Sequence, residues 1–254
     1  MLSLSQLDEH DARSIRYLAF DLDDTLLTKG RLTADAYQAL CALDEAKIEL
    51  ILCTGRPSRW AEVLVRQWPL VLAVAENGGV RIARDKASDQ LDISVEANAP
   101  KLSLPPPFAD EFERTDDCDD RRSDTTFDIG EHRIVPNERV KAFREYVEGL
   151  GFRSFASSVH VHVTAAGADK ANGIFALLRD HRGIDPAALR TSLAYIGDSE
   201  NDAACFNAFA FTFGVANVAS HLDRLTLPPK YLASAAMGAG FCEIAAAIIG
   251  KRTY

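Results

Sequence analysis

Three aspartates fall within four positions of the stretch DLDDTLL: Asp21, Asp23 and Asp24. They follow an apolar run, Ile15 to Phe20, that reads as a buried strand. Like charges at a strand mouth repel, and a lone buried carboxylate is costly to keep ionised. A metal ion, a set of backbone N–H groups or a solvated loop would each remove that cost. Far along the chain stand Thr54 in CTGRP, Lys170 in ADKANGI, and Asp198, Asn201 and Asp202 in IGDSENDAACF. Together these groups suit phosphoryl transfer. An ionised Asp can attack phosphorus, and a second Asp two residues on can give and take the proton. A lysine and a hydroxyl can hold the phosphoryl oxygens. Carboxylate oxygens gathered from Asp21, Asp23 and Asp198 would suit Mg²⁺, which neutralises the charge of the transferring group.

Such groups must be brought together by the fold. After the first strand, Thr33 to Ala46 carries Ala36, Leu40 and Leu43 at helical spacing, with Thr33 as N-cap. IELILCTG is a second strand, a helix runs from Pro57 or Ser58 to about Trp68, and LVLAVAENGG is a third strand. This alternation predicts a parallel sheet covered on both faces. It resumes after Gly167 with a helix over Lys170–His181, a strand in SLAYIGD, a helix over Asn201–Phe209, a strand in AFTFGVAN and a helix over Phe241–Ile249. Between the two halves the apolar runs shorten and alternate with polar residues. RRSDTTFDIG and SSVHVHVT read as strands, separated by a helix from Asn137 to Gly149. The expected fold is α/β: a Rossmann-like, doubly wound parallel sheet core over 1–82 and 166–254, with an inserted α+β cap over 83–165. In open parallel sheets ligands bind beyond the carboxyl ends of the strands. There Asp21 and Asp23, Thr54, and Asp198 with Asp202 would converge.

Composition narrows the partners. The chain has 254 residues, 47% hydrophobic and 26% charged, and a net charge of −9. An acidic surface argues against nucleic acid or an anionic membrane as partner. The five cysteines form no CxxC pair, which fits a reducing cytoplasm. The first residues lack an apolar signal core, and no apolar run is long enough to span a membrane.

DLDDTLL, CTGRP, ADKANGI and IGDSENDAACF, in that order, resemble the four motifs of the haloacid dehalogenase superfamily of phosphatases. The long insert resembles the type IIB cap of its Cof-like sugar-phosphate phosphatases, and ENGG and FGVAN are similar to lesser signatures of that group. The resemblance implies Asp21 as nucleophile, Asp23 as general acid and base, Thr54 as a phosphoryl contact and Lys170 as the cation steadying both. It implies Mg²⁺ held by Asp21, Asp198 and the carbonyl of Asp23, with Asp202 one layer behind and Asn201 on phosphate or water. Asp24 stands where many members have glycine and is expected to face solvent. The implied activity is hydrolysis of a small phosphorylated metabolite, a sugar or polyol phosphate, through an aspartyl-phosphate. A phosphomutase would share that intermediate. A signalling receiver would share the acidic cluster, but is shorter and carries its aspartate after a later strand.

Plainer readings stand beside several residues. Gly55 with Thr54 forms a turn, Arg56 suits a salt bridge as well as phosphate, and Asn77–Gly78 is a turn signal before it is a substrate contact. On the insert, Arg122, Asp124, Thr126 and Asp128 are expected on one strand face, and Ser158, His160, His162 and Thr164 on that of the neighbouring strand. Val159, Val161 and Val163 would pack on the cap helix. The polar side would be a platform facing the core, with Arg122 and His162 reading the leaving group, or else an ordinary solvated face.

Overall fold

The structure, a computed structural model, describes residues 1–156, 159–165, 167 and 169–252. Ser158 lies outside the described residues. In chain order the first elements are β1 (Leu2–Ser3), α1 (Glu9–Ser14), β2 (Tyr17–Phe20), α2 (Ala34–Glu45), β3 (Glu49–Cys53), α3 (Ser58–Gln67), β4 (Leu72–Ala75), β5 (Val80–Arg84) and β6 (Leu91–Val95). There follow α4 (Phe108–Glu111), β7 (Glu113–Arg114), β8 (Asp124–Asp128), α5 (Asn137–Gly149), β9 (Arg153–Ala156) and β10 (His160–Thr164). The chain closes with α6 (Lys170–Arg182), α7 (Pro186–Leu189), β11 (Leu193–Gly197), α8 (Ala203–Ala208), β12 (Phe211–Gly214), β13 (Tyr231–Leu232) and α9 (Met237–Arg252).

The larger sheet has the order β1-β13-β12-β11-β2-β3-β4-β5-β6. It is parallel from β1 across to β4, and β5 and β6 are added antiparallel. Alternate strand residues serve opposite faces, as the twofold period of a strand demands. Leu18, Phe20, Leu50, Leu52 and Ile196 share one cluster with α2, α3 and α9. Ala19, Ile51, Val74 and Tyr195 share the other with α6, α7 and α8. The sheet is thus covered on both sides, as the near-continuous apolar runs predicted.

The expected core boundary at residue 82 is corrected. β5 and β6 pair within the larger sheet, so the chain leaves that sheet only after Val95. Their short polar alternation resembles a solvated hairpin, which hid this membership. The helix expected over Asn201–Phe209 is also shorter. A 3-10 turn occupies Glu200–Asp202 first, because the Asp202 carboxylate turns back to accept from the N–H groups of Asp198 and Ser199.

The second sheet is antiparallel, with the order β7-β8-β10-β9. Phe127, Val161 and Val163 face α5 and pack on Phe143 and Val147, as the alternation required. Phe143 is fully buried and stacks on Phe112 at 4.1 Å. The opposite face is not solvated: Asp124 and Thr126 are fully buried and His162 nearly so. Thr115 extends β7 beside β8 and bonds Thr126, and the Arg121 guanidinium sits against Asp124. Phe143→Ala is expected to cost the second sheet about 3–5 kcal/mol, the usual loss for a buried phenylalanine. Hydrogen exchange should then quicken in β8 and β10 but not in β2 or β11. Equal protection in both sheets would show that this apolar cluster does not hold the second sheet.

Candidate active site

Parallel pairing places the carboxyl ends of β2, β3, β4 and β11 along one edge, and each end delivers a polar group. Asp21 follows β2 and Asp198 follows β11, each 5% exposed. Lys170 opens α6, whose N-cap Asp169 accepts from Asn172 N–H at 2.8 Å. A lysine at a helix N-terminus opposes the helix dipole, so its partners are informative. Its Nζ donates to Asp21 Oδ1 at 2.6 Å, Asp202 Oδ1 at 2.7 Å and Asn201 Oδ1 at 3.1 Å.

Carboxylate oxygens of Asp21, Asp198 and Asp202 all lie within 4.8 Å of one another, in buried surroundings. Each is held differently. Asp202 is saturated: Oδ1 accepts from Lys170 and the Tyr195 hydroxyl, and Oδ2 from the N–H groups of Asp198 and Ser199. Gly197 makes room for that return, since a Cβ there would sit 2.4 Å from Asp202 Oδ2. Asp198 accepts from Thr25 Oγ1 at 2.9 Å and Asn217 Nδ2 at 2.8 Å. Asp21 has Lys170. Burial, with Asp202 and Asp198 adding to it against the pull of Lys170, pushes the Asp21 carboxyl well above its usual range. Burial and then Asp202 raise Asp198 to about 7. Three buried carboxylates thus face one ammonium, and a divalent cation fits the surplus.

Asp23 is elsewhere. Arg56 grips its carboxylate through Nε at 2.8 Å and Nη2 at 2.6 Å, and lies 4.5 Å over the Trp60 ring. Asp23 therefore adds no carboxylate oxygen to the buried cluster. Asp24 has φ of 55° and is exposed, as expected where glycine is common. Thr54 is buried, and its Oγ1 accepts from Arg56 N–H at 3.1 Å. Gly55 lies against Asn77, whose atoms a Cβ would meet at 3.0 Å. Asn77, at φ of 52°, contacts Asn201 at 3.4 Å.

Arg122 is not part of the site: its guanidinium bonds Ser58 and Glu62 of α3. β8 begins only at Asp124, so strand alternation does not extend back to residue 122. Its neighbour Arg121 faces the site instead, donating to the Gly55 carbonyl at 3.1 Å. Thr25, Tyr195, Asn217, Arg121 and Glu76 went unassigned in the sequence. Glu76 is buried and accepts from the N–H groups of Ser58, Arg122 and Ser123, joining the β4 end, α3 and the entry to β8. Burial, with Asp124 nearby, raises its carboxyl.

Residues 18–100 match the family described as haloacid dehalogenase-like hydrolase. A phosphoglycolate phosphatase of Methanothermobacter thermautotrophicus is 30% identical over 242 residues, 93% of this chain and all of that one. The chain belongs to the haloacid dehalogenase-like hydrolases. A phosphoglycolate phosphatase of Archaeoglobus fulgidus is 28% identical over 217 residues, 82% of this chain and 86% of its own. A Thermoplasma acidophilum protein shares the fold, with a TM-score of 0.71 and 18% identity, over 92% of this chain and 98% of its own. This haloacid dehalogenase-like hydrolase is a phosphatase, of a family that uses a divalent metal. Among the described residues no helix is long and apolar enough to cross a membrane.

The raised Asp198 gives a sign for pH. An unfolded carboxyl ionises near 3.8, so from there to about 7 the metal-free fold keeps a proton that the unfolded chain has lost. Stability then falls as pH rises through that window. A bound divalent cation favours the ionised form and offsets the loss. The rise in melting temperature on adding Mg²⁺ is therefore expected to be larger at about pH 8 than at about pH 5.5. An equal rise at both would contradict this.

Proposed function

We propose that the chain is a Mg²⁺-dependent phosphomonoester hydrolase acting through an aspartyl-phosphate on Asp21. The observation that carries this reading is the contact of Asp21 with Lys170 beside Asp198 and Asp202, at the edge that also presents Thr54. Asp21 and Asp198, with the Asp23 carbonyl, would hold the ion, while Asp202 orients Lys170 and the loop after β11. When bound, Mg²⁺ would neutralise phosphate charge and align the ester.

An oxygen of Asp21 attacks phosphorus as the ester P–O bond breaks, and Asp23 gives its proton to the departing alkoxide. Water then attacks the same phosphorus, Asp23 takes its proton, and phosphate leaves Asp21 free. Thr54 and Lys170 hold the phosphoryl oxygens, and Asn77, Asn201 and the Gly55 turn line the approach. The Arg56 pair engages both oxygens of Asp23, so Asp23 reaches the leaving oxygen when that pair opens. Residues 96–164 would form a cap over a core of the remaining chain, closing over the ester and excluding bulk water. The substrate is a small phosphorylated metabolite, a sugar or polyol phosphate; the relatives' names add phosphoglycolate to the candidates.

The test is phosphate release from p-nitrophenyl phosphate with Mg²⁺. Asp21→Asn should lower the rate roughly a thousandfold or more, as loss of a nucleophile does. Label from a ³²P-ester should remain on the acid-quenched wild-type chain but not on the variant. Activity surviving in the variant would refute the nucleophile. Transfer of the label to a second sugar without free phosphate would identify a mutase.

A further inference from the structure

The proposed chemistry leaves unused a set of buried polar groups on the inner face of the second sheet. Burying such groups is costly unless they are paired. Asp124 is fully buried and accepts from Arg121 Nη1 at 3.1 Å and from His162 Nδ1 at 2.7 Å. Arg121 also bonds Asp117 at 3.1 Å and the Gly55 carbonyl at 3.1 Å. The network is thereby anchored on the loop that carries Thr54. The His162 ring stacks on Phe155 at 4.8 Å with 12° between planes. Its orientation is set from two directions, by a carboxylate at one nitrogen and an aromatic face along the ring.

With Nδ1 bonded to Asp124, Nε2 has no partner among the described residues, although His162 is only 6% exposed. Burial acts against the charged form of Asp124, but Arg121 and then His162 overcome it and hold the carboxyl below its usual range. Burial also pushes the His162 imidazole down, against the pull of Asp124. A neutral ring whose Nδ1–H donates to a carboxylate presents an acceptor at Nε2. The surrounding charge favours the same partner. Arg121 is shared by two acids, Asp117 and Asp124, and the next cation, Arg56, is taken up by Asp23, so the acids outnumber the cations. A carboxylate on the substrate would be repelled there, and a hydroxyl could donate.

We propose that Asp124 positions His162 so that Nε2 accepts a hydrogen bond from a leaving-group hydroxyl, making hydroxylated phosphomonoesters, not carboxylated ones, the preferred class. The proposal rests on the phosphatase reading above.

Its test compares kcat/KM of the Mg²⁺-loaded enzyme for glycerol 1-phosphate, ethyl phosphate and phosphoglycolate. Glycerol 1-phosphate should lead. His162→Phe keeps a ring on Phe155 and removes both nitrogens. It should lower the preference for glycerol 1-phosphate over ethyl phosphate about tenfold, the worth of one hydrogen bond, chiefly through KM. His162→Gln, which keeps an acceptor, should restore part of it. An unchanged preference in His162→Phe, or a wild type that favours phosphoglycolate, overturns the proposal. A second readout does not depend on that variant folding: glycerol 1-phosphate should shift the ¹⁵N resonance of His162 Nε2 in Asp21→Asn, and an unmoved resonance overturns it too. Absence of phosphate release from every ester, p-nitrophenyl phosphate included, would instead remove the phosphatase reading, and the proposal with it.

Discussion

Three buried carboxylates share one buried ammonium, and the strand-end site is arranged around that imbalance. Asp21, Asp198 and Asp202 repel one another at close range in a poorly solvated place, where unpaired charge is costly. The chain answers with donors for each. Lys170 and Tyr195 hold one oxygen of Asp202, two backbone N–H groups hold the other, and Thr25 and Asn217 hold Asp198. Among the described residues Asp21 has the fewest donors of the three. The same arrangement accounts for a lysine at the unfavourable end of α6: carboxylates from two strand ends outweigh the helix dipole.

The core was legible because its strands are buried on both faces. Near-continuous apolar runs such as ELILC and LAVA, bounded by turn residues, have few alternatives. The order of strands and helices then places their carboxyl ends together. β5 and β6 were less legible, because VRIAR and LDISV alternate like a solvated hairpin and nothing local says which sheet they extend. Two-residue strands such as β1 and β13 carry no period at all. α9 begins at Met237, earlier than expected, because its first turn carries Gly238 and Gly240. Those glycines weaken a helical reading but allow close packing on the carbonyls of Leu26 and Ala235.

Within the site, Asp21, Thr54, Lys170, Asp198 and Asp202 were legible because each stands at a strand end or helix start, where the fold must aim it. Arg122 was expected on the strand face because alternation was extended beyond Asp124, where the strand begins, and Arg121 carried no signal of its own. Glu76 gave no signal of its role. A glutamate in a turn does not announce that amides forty-odd positions onward will fold onto it, and tertiary structure alone supplies Arg122 and Ser123. The inner face of the second sheet was read correctly as polar, but its burial was not foreseen. Arg121, which joins Asp124 to the Gly55 carbonyl, is a contact that only the tertiary structure supplies.

A divalent cation would meet the surplus charge of the carboxylate cluster. Calorimetric titration of Mg²⁺ into the metal-stripped protein at neutral pH tests this most directly. One ion is expected per chain, with Asp198→Asn weakening the affinity by about a hundredfold or more, beyond what loss of a merely supporting group costs. Binding of equal strength in wild type and variant, or no binding to either, would contradict it.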